Sequence, residues 1–365
     1  MKVLIVGGSS SHRGGLEIFC ERAVAALSLN RGLDVRSMPT GSAFLTPRRL
    51  PSLLLGLLRL ARELVIRRPD VVWIQYAALP DLFYLVLAKV FFVQVAVTPH
   101  LGVAWRSRRH PLLRKVSNLL LRCADSVAVL SPTQIEEIEV GRDARVFNIS
   151  TLLPLSSISG AAGSETCAAS PDRLRLVHSA RLSAEKGTLL FVDLCRTLAA
   201  AGLDFEANIS GAADDAFLVE LGRAIDAASL SDRIRLLGRL DEEAQRNLLQ
   251  RSDVLIHLSF SDSYPLIVLE AIAQAVLPVC LDLPGARHMV AKYDGQVVSQ
   301  HDPVAETARF LIGEDVASLR RRASAAASRI RAEMSWESCQ QLIADALAKT
   351  ANVQIGPGRE RQAPT

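Results

Sequence analysis

The sequence predicts an α/β protein built from two Rossmann-like, doubly wound domains that face each other across a cleft. Its 365 residues are enough for two domains of ordinary size. Short apolar runs alternate with amphipathic stretches, which is typical of parallel sheets covered by helices on both faces. Between the two alternating halves, residues 156–171 are small, polar and interrupted by Gly and Pro, which indicates a linker or an exposed loop.

The first half, residues 1–155, is interpreted as the first domain. Each predicted strand is a short run of apolar, often β-branched residues, and each predicted helix has apolar residues at helical spacing. The strands are Val3–Val6, Val71–Gln75, Val93–Thr98, Ser126–Leu130 and Arg145–Ile149, and the clearest helices are Leu16–Leu29 and Leu53–Ile66.

Residues 79–98 are apolar enough to resemble a membrane span. The stretch carries Asp81, Lys89 and Gln94, however, and charged side chains are costly in hydrocarbon. Its second half, from Val93 to Thr98, is rich in β-branched residues. We therefore predict a buried helix followed by a strand.

The second half, residues 172–332, repeats the alternation and is interpreted as the second domain. Residues 351–365 are predicted to be a flexible tail. The predicted strands are Leu174–His178, Phe205–Ile209, Ile234–Leu237, Val254–Leu258 and Leu277–Leu281, and the helices are Thr188–Ala201, Ala216–Ala228, Asp241–Gln250 and Leu266–Ala275.

Two such domains place a ligand in the cleft between them, at the carboxyl ends of the strands. On this pattern alone the chain is consistent with a dehydrogenase, a periplasmic-type binding protein, a nucleotide-sugar epimerase or a glycosyltransferase. The first loop, from Gly7 to Phe19, lacks the Gly-x-Gly-x-x-Gly spacing, and no acidic residue closes a second strand at the ribose position. A classical NAD site is therefore not expected.

Gly14 and Gly15 lie in this first loop, where a helix begins. Glycine lets the backbone approach a ligand closely, and the positive end of the helix would point towards the cleft. The alternative is a tight strand-to-helix turn that binds nothing.

A basic loop follows the first strand of the second domain, with the sequence RLSAEKG from Arg181 to Gly187. Arg181 and Lys186 provide two cations that suit a diphosphate leaving group. Basic loop residues are usually solvated, so this pair alone does not indicate a site.

A polar loop containing Asp262 leads into an apolar helix that begins near Pro265. The N-terminus of such a helix can hold phosphate through its free backbone N–H groups. Glu270 lies farther along among apolar neighbours, so we expect it to be semi-buried and in need of a partner, which ribose hydroxyls would supply. The alternative is a carboxylate on a solvated helix face.

Charge is divided unevenly between the halves. Residues 1–155 hold 20 Lys and Arg against 11 Asp and Glu, whereas the remainder holds 22 against 27. The stretches Arg48–Arg68 and Trp105–Arg122 are cationic and amphipathic, which suits an anionic membrane surface or a lipid-phosphate-linked acceptor. A solvated helix face is the alternative. Nucleic acid is not expected as a partner, because no aromatic-interleaved platform or known module is present.

The six cysteines are scattered, with no Cys-x-x-Cys pair and no adjacent His cluster. They predict reduced thiols in a reducing compartment, which favours a cytoplasmic protein, and neither a zinc site nor a disulfide framework. The apolar run after Lys2 is too short for a signal peptide. The cysteines are Cys20, Cys123, Cys167, Cys195, Cys280 and Cys339.

Taken in order, these motifs resemble the family 4 type of retaining glycosyltransferases, within glycosyl transferases group 1. The motifs are Gly14-Gly15-Leu16-Glu17, then Arg181-x4-Lys186-Gly187, then Asp262-x7-Glu270, with Thr98-Pro99-His100 at an expected histidine. The resemblance covers about residues 1–350 and implies the two-domain GT-B fold. It also implies that residues 333–350 form a final helix that crosses back to the first domain.

The resemblance implies a role for each motif residue. Arg181 and Lys186 would neutralise the donor diphosphate, Asp262 would hold hydroxyls of the transferred sugar, and His100 would line the sugar and acceptor side. Tyr264, Pro265, Leu266 and Glu270 would bind the donor with Gly14 and Gly15. The co-substrate would be a UDP- or GDP-linked sugar, with no metal or other cofactor, since the cations and the helix terminus take the place of a metal ion.

The implied activity is transfer of a hexose, with retention of configuration, to a lipid-linked or polysaccharide acceptor in cell-surface glycan synthesis, on the cytoplasmic face of the membrane. The sequence departs from the family pattern at Asp262-Ser263-Tyr264, where Glu is usual, and at Leu283–His288, where a Gly-Gly loop ending in Glu is usual. These departures put donor preference in question. They also keep two alternatives open: a nucleotide-sugar 2-epimerase and a degenerate transferase that only binds.

Overall fold

The chain folds into two compact units. A computed structural model describes residues 1–8, 14–40, 50–100, 110–138, 140, 144–154, 157, 173–262 and 264–353. Unit 1 consists of Met1–Leu152 together with the described residues from Met334 onward, and unit 2 is Leu153–Glu333. The predicted linker, residues 156–171, lies outside the described residues except for Ser157.

Unit 1 is a parallel six-stranded sheet with helices on its faces. The sheet has the order β2-β1-β3-β4-β5-β6. Its elements are β1 (Lys2–Val6), α1 (Gly15–Ser28), β2 (Asp34–Met38), α2 (Leu50–Ile66), β3 (Val71–Tyr76), α3 (Asp81–Val90), β4 (Gln94–Pro99), α4 (Pro111–Leu121), β5 (Ser126–Val129), α5 (Gln134–Glu137) and β6 (Arg145–Asn148).

The centre of this sheet is fully buried. All six residues of β3 are buried, which explains why it reads as a continuous apolar run with no alternation. Residues 79–98 form helix α3 and strand β4, as predicted. Among the described residues, no helix is long and apolar enough to cross a membrane.

Strand β2 was not predicted from the sequence. It pairs with β1 at the edge of the sheet, with Val3 opposite Val35. Three of its five residues, including Asp34, are exposed, so it lacks the apolar run that marks the other strands. Edge strands have one unpaired side, and polar residues there are common.

Unit 2 is a second parallel six-stranded sheet, with the order β12-β11-β10-β7-β8-β9. Strand β12 and helices α10, α11 and α12 were not predicted from the sequence, and β12 is only three residues long. The elements are β7 (Leu174–Ser179), α6 (Thr188–Ala200), β8 (Phe205–Ser210), α7 (Asp215–Ala227), β9 (Ile234–Gly238), α8 (Glu242–Gln250), β10 (Val254–His257), α9 (Leu266–Ala273), β11 (Leu277–Leu281), α10 (Pro284–Lys292), β12 (Gln296–Val298), α11 (Pro303–Gly313) and α12 (Val316–Glu333).

A buried carboxylate fixes the amino ends of β7 and β10. The Asp253 side chain is 2% exposed and lies between two arginines. Arg175 Nη2 is 2.8 Å from Asp253 Oδ1, and Arg320 Nε is also 2.8 Å from that oxygen. Charge-assisted contacts of this kind make the central strands and helix α12 interdependent.

The last helix, α13 (Trp336–Ala351), belongs to unit 1. Ser335 caps it by accepting a hydrogen bond from the backbone N–H of Ser338. Gln340 Nε2 donates to the carbonyl of Ala26 at 2.7 Å, and Thr350 bonds Ser126 at 2.6 Å. The chain therefore returns to unit 1 after completing unit 2.

The described cysteines form no disulfide with one another. Cys20, Cys195, Cys280 and Cys339 are buried free thiols, and Cys123 is exposed. Burial raises the pKa of the Cys20 thiol to about 12. Cys167 lies outside the described residues.

Candidate functional site

The strand order of unit 2 creates a crevice between β7 and β10. Strands β8 and β9 lie on one side of β7, whereas β10, β11 and β12 lie on the other. The connections leaving β7 and β10 therefore diverge, and ligands of open α/β sheets bind where the strand order reverses in this way. The two loops at this position carry Arg181 and Lys186 after β7, and Asp262 after β10.

A chain of hydrogen bonds connects the loop that follows β7 to strand β10. His178 Nδ1 lies 3.0 Å from the Ile256 carbonyl, and its Nε2 lies 3.0 Å from Thr188 Oγ1. A carbonyl only accepts, so Nδ1 carries the proton and Nε2 accepts from the Thr188 hydroxyl. Thr188 Oγ1 in turn accepts from the backbone N–H of Ser183 at 3.2 Å. Burial lowers the pKa of His178 to about 4, which keeps this chain of hydrogen bonds neutral near pH 7.

Gly187 permits the two loops to approach each other closely. Its φ is +75°, and a Cβ at this position would lie 2.3 Å from the carbonyl oxygen of Leu258. Any other residue would strain the backbone, and its Cβ would collide with Leu258, which directly follows β10. The Phe260 N–H also donates to the Glu185 carbonyl at 3.0 Å, so the loops are joined through their backbones.

Asp262 lies at the centre of a charged network that joins the loops. Its Oδ1 forms a short ion pair with the Lys186 ammonium, and its Oδ2 lies 2.8 Å from His257 Nε2. The Lys186 and Asp262 side chains are 15% and 22% exposed, so both can still meet a ligand. His257, the last residue of β10, is 4% exposed in its side chain.

The network keeps Asp262 ionised. Burial by itself raises the pKa of the carboxyl group, but the hydrogen bond from His257 and the nearby Lys186 ammonium outweigh it. The pKa of Asp262 is therefore held well below its usual range. An ionised carboxylate is a strong acceptor for hydroxyl groups.

The other predicted residues of unit 2 belong to the same two loops or to the start of helix α9. Arg181 is exposed at the start of its loop. Pro265 is the N-cap of α9, in extended conformation, and Leu266 is the first residue of that helix. Tyr264 and Glu270 are half-buried, as expected for Glu270. Ser263, one of the departures from the family pattern, lies outside the described residues.

Unit 1 contains a second cluster at the carboxyl ends of its central strands. His100 follows β4, and its Nε2 lies 2.9 Å from Oε1 of the buried Gln75 on β3. The amide oxygen only accepts, so Nε2 carries the proton and Nδ1 is the acceptor. Burial lowers the pKa of His100 to about 4, so the ring is neutral near pH 7. Gly7, with φ +145°, approaches this point so closely that a Cβ would lie 2.6 Å from Gln75 Cβ.

Gly14 and Gly15 belong to the same unit. Gly14 is the N-cap of α1, its N–H donates to Glu17 Oε2 at 2.9 Å, and Gly15 is the first residue of the helix. One turn later, the Phe19 ring meets the His100 ring edge-on at 5.1 Å. The predicted residues are thus divided between the units: Gly14, Gly15 and His100 lie in unit 1, and the others lie in unit 2.

Three residues of these clusters were not predicted from the sequence: His257, His178 and Gln75. Each lies in a largely apolar strand, where its polar side chain was taken simply as part of the strand. The available signal was that interruption itself, because a buried polar residue needs a partner. The pairing of Lys186 with Asp262 was also not predicted, since separate roles were assigned to the two.

A comparison with family models identifies the region that contains the unit 2 site. Residues 168–329 match the family described as glycosyl transferases group 1. The glycosyl transferases group 1 match includes both loops of the β7–β10 crevice. A search of curated proteins by sequence gave no significant match.

The structural similarity to solved proteins with this fold covers nearly the whole chain. Sucrose-phosphate synthase from Thermosynechococcus elongatus has a TM-score of 0.78 at 16% identity, covering 96% of this chain and 99% of that one. HepE from Anabaena, in complex with UDP-glucose, has a TM-score of 0.71 at 17% identity, covering 96% and 100%. A UDP-forming α,α-trehalose-phosphate synthase from Burkholderia xenovorans has a TM-score of 0.70 at 14% identity, covering 96% and 99%.

These comparisons confirm the predicted GT-B class of α/β fold and the resemblance to glycosyl transferases group 1. Assignment to family 4 stays a prediction. The roles predicted for Asp262, His100, Arg181, Lys186 and the donor-binding residues are likewise predictions.

Proposed function

We propose that this protein is a glycosyltransferase that moves a hexose from a UDP- or GDP-linked sugar to a lipid-linked or polysaccharide acceptor, with retention of configuration. The observation that carries the proposal is the Lys186–Asp262–His257 network. It lies at the strand-order reversal of the unit whose residues match glycosyl transferases group 1. An accessible cation and an ionised carboxylate at such a crevice suit a diphosphate and sugar hydroxyls respectively.

The donor is proposed to lie with its diphosphate near Lys186 and Arg181. The exposed Arg181 guanidinium can bind phosphate oxygens in bidentate fashion, and Lys186 adds a point charge. Two cations reduce the charge that develops on the leaving diphosphate, which is the role that a divalent metal fills elsewhere. The chain is therefore proposed to work without a metal, and turnover should be unchanged by EDTA.

The proposed nucleotide partner follows from the same crevice. Glu270, half-buried on α9, is proposed to accept hydrogen bonds from the ribose, and Asp262 from the hexose. HepE, one of the proteins with this fold, has been solved with UDP-glucose, which makes the UDP series the first to test. In unit 1, the neutral His100 is proposed to accept a hydrogen bond from a substrate hydroxyl through Nδ1.

The test is a thermal-shift titration with UDP, GDP, ADP and dTDP, followed by the matching nucleotide sugars. A ligand that binds only the folded state raises the apparent stability by mass action, by about 2.7 kcal/mol at one hundred times its Kd. Arg181→Ala and Glu270→Ala should abolish the shift. Arg196→Ala and Glu220→Ala, at exposed helix positions of unit 2, are the matched controls and should keep it.

Three results separate the proposed function from its alternatives. Turnover that needs an added acceptor supports a transferase, whereas conversion of the donor without acceptor indicates a 2-epimerase. Binding that requires Asp262 and Glu270 without any turnover indicates a degenerate transferase. If no nucleotide stabilises the folded protein, the crevice is not a nucleotide-sugar site and the proposal is wrong.

We further propose that unit 1 docks peripherally on an anionic membrane, on the cytoplasmic face, where a lipid-linked acceptor would be available. Helix α2 packs its buried residues Leu53, Leu60 and Leu64 inward and exposes Leu54 and Leu58. Helix α4 exposes Leu112 and Leu119 in the same way. Exposed leucines beside cations are typical of helices that lie in a membrane interface. The exposed cations on these two helices or just after them are Arg59, Arg62, Arg68, Arg114, Lys115 and Arg122.

Co-sedimentation with vesicles tests this docking. The parent should bind vesicles that contain phosphatidylserine more than pure phosphatidylcholine vesicles, and less so at high salt. Each basic residue near an anionic surface contributes about 1 kcal/mol, so Arg59→Ala with Arg62→Ala should lower partitioning roughly 30-fold. Arg196→Ala with Arg223→Ala in unit 2 is the control. Equal recovery with both vesicle types at low salt would remove the membrane from the proposal.

A further inference from the structure

Asp262 has two partners of different mobility. His257 ends strand β10, where its backbone lies in register with Cys280 of the neighbouring strand β11. Its ring is 4% exposed and therefore held by its surroundings. Lys186 lies on a loop and reaches Asp262 through a long, flexible side chain. One carboxylate oxygen is thus fixed by the sheet, and the other is held by a group that can move.

The proton positions follow from the chemistry of the pair. An ionised carboxylate accepts hydrogen bonds and cannot donate, so the 2.8 Å contact requires that His257 Nε2 carry a proton. The opposite ring nitrogen, Nδ1, is buried and has no hydrogen-bond partner among the described residues. A buried polar atom without a partner costs stability. His257 is therefore poorly explained as a residue that serves only to stabilise the fold.

We propose that His257 is a positioning residue that orients Asp262 towards the transferred sugar. This inference rests on the proposed function. When a diphosphate enters the crevice, Lys186 turns from Asp262 Oδ1 to the phosphate oxygens. His257 keeps hold of Oδ2, so Oδ1 is released in a fixed direction and meets a sugar hydroxyl without reorientation. Without His257, the carboxylate that Lys186 releases would be free to rotate and would no longer be directed at a sugar hydroxyl.

This arrangement separates two parts of the ligand. A nucleoside diphosphate needs Lys186 but carries no hexose, so Asp262 has no hexose hydroxyl group to bind. A nucleotide sugar needs both residues. His257 should therefore affect the additional affinity that the sugar provides, and the rate of its transfer, while leaving the affinity for the nucleoside diphosphate nearly unchanged.

Calorimetric titration with UDP and UDP-glucose, then GDP and GDP-mannose, tests the inference on the parent, His257→Leu and His257→Gln. For His257→Leu, we expect the Kd of the nucleoside diphosphate to change less than about twofold and that of the nucleotide sugar to rise roughly tenfold, as for loss of an oriented charged hydrogen bond. The value of kcat should fall, and the melting temperature should also fall because the ionised Asp262 loses one of its two partners. His257→Gln, which retains an N–H donor, should restore most of the difference.

His301→Leu, at an exposed position of the same unit, is the matched control and should behave as the parent. If His257→Leu weakens both ligands equally, or if His257→Gln fails to restore the sugar-dependent part, His257 acts only through packing and the inference is wrong. A parent that binds neither nucleotide series overturns the proposed function itself, which is visible before any variant is compared.

Discussion

Strand β10 has a buried or partly buried carboxylate near each end, and the two carboxylates are held in different ways. Asp253, just before the strand, is 2% exposed and is clasped by the guanidinium groups of Arg175 and Arg320. Asp262, beyond the other end, is 22% exposed and is shared by Lys186 and His257. The first is enclosed by elements of the sheet and by α12. The second joins two loops and remains accessible.

The difference indicates how one strand can serve stability at one end and ligand binding at the other. A bidentate pair of arginines leaves Asp253 little freedom and no route to a ligand. A single flexible ammonium at Asp262 can be replaced by a ligand hydroxyl.

The largest effect is expected at the enclosed end. Asp253→Ala leaves two cations without their shared carboxylate, and breaking a buried pair costs about 3–5 kcal/mol of unfolding free energy. Urea denaturation of the parent and variant measures it. Because Arg175 and Arg320 are partly hydrated, we expect the lower part of that range. An unchanged midpoint would mean that the Asp253 cluster contributes nothing to stability.

The dependence of stability on pH should next distinguish His178, which bonds the Ile256 carbonyl of β10, from Asp253 at the enclosed end. His178 has a folded pKa of about 4, below its ordinary value of 6.5, so the unfolded chain binds more protons in between. Stability should therefore fall as pH drops from 6.5 to 4, by up to about 3 kcal/mol from this group. His178→Gln should flatten that part of the curve. Asp253 has a lowered pKa, so its contribution is present above about pH 4 and lost below it. Asp253→Asn should therefore lower stability above pH 4 and flatten the curve below it.

At the accessible end, activity should change more than stability. Asp262→Asn keeps the shape of the side chain but removes its charge. Loss of charged hydrogen bonds to a ligand of 1.5–3 kcal/mol corresponds to a roughly 10- to 100-fold lower kcat/KM for the nucleotide sugar. The unfolding free energy of the variant should fall by less than that of Asp253→Ala. Equal loss of stability at both sites would contradict the assignment of separate roles.

The smallest effect concerns the geometry of the arginine clasp. Arg320 donates to both oxygens of Asp253, from Nε at 2.8 Å and from Nη2 at 3.2 Å. Arg320→Lys keeps the charge but can replace only one of these bonds, so it should cost about 1 kcal/mol of unfolding free energy. Differential scanning calorimetry would detect the change. Nucleotide binding should be unaltered, and a change there would show that the two ends are coupled.

Much of the fold could be predicted from the sequence because its signals are local. The predicted strands end within about two residues of the observed ones, and the helix-strand pair at residues 79–98 was correctly distinguished from a membrane span. Strand β2 was missed because its edge position allows exposed polar residues, and β12 because three residues give too short a pattern. In both cases neighbouring strands, and not local propensity, determine the conformation.

The candidate site could be predicted only in part. Lys186 and Asp262 were predicted because loops at the ends of apolar strands concentrate functional side chains. Glu270 was predicted because a carboxylate among apolar helix residues needs a partner, and the roles of all three stay predictions. His257 was missed because a histidine in an apolar strand gives no indication of its partner. The ion pair of Lys186 with Asp262 joins residues 76 positions apart, and no local pattern reports such a distance.

The sequence by itself determined the α/β alternation, the glycine between Lys186 and α6, and the types of side chain offered at the strand ends. Hydrophobic period and backbone freedom are properties of short segments, so they can be read without knowledge of contacts. The tertiary structure decided which carboxylate is enclosed and which is accessible. Strand order places β7 beside β10, and a carboxylate acquires its partners, its burial and its pKa from whatever groups that neighbouring strand and its loops bring within a few ångströms.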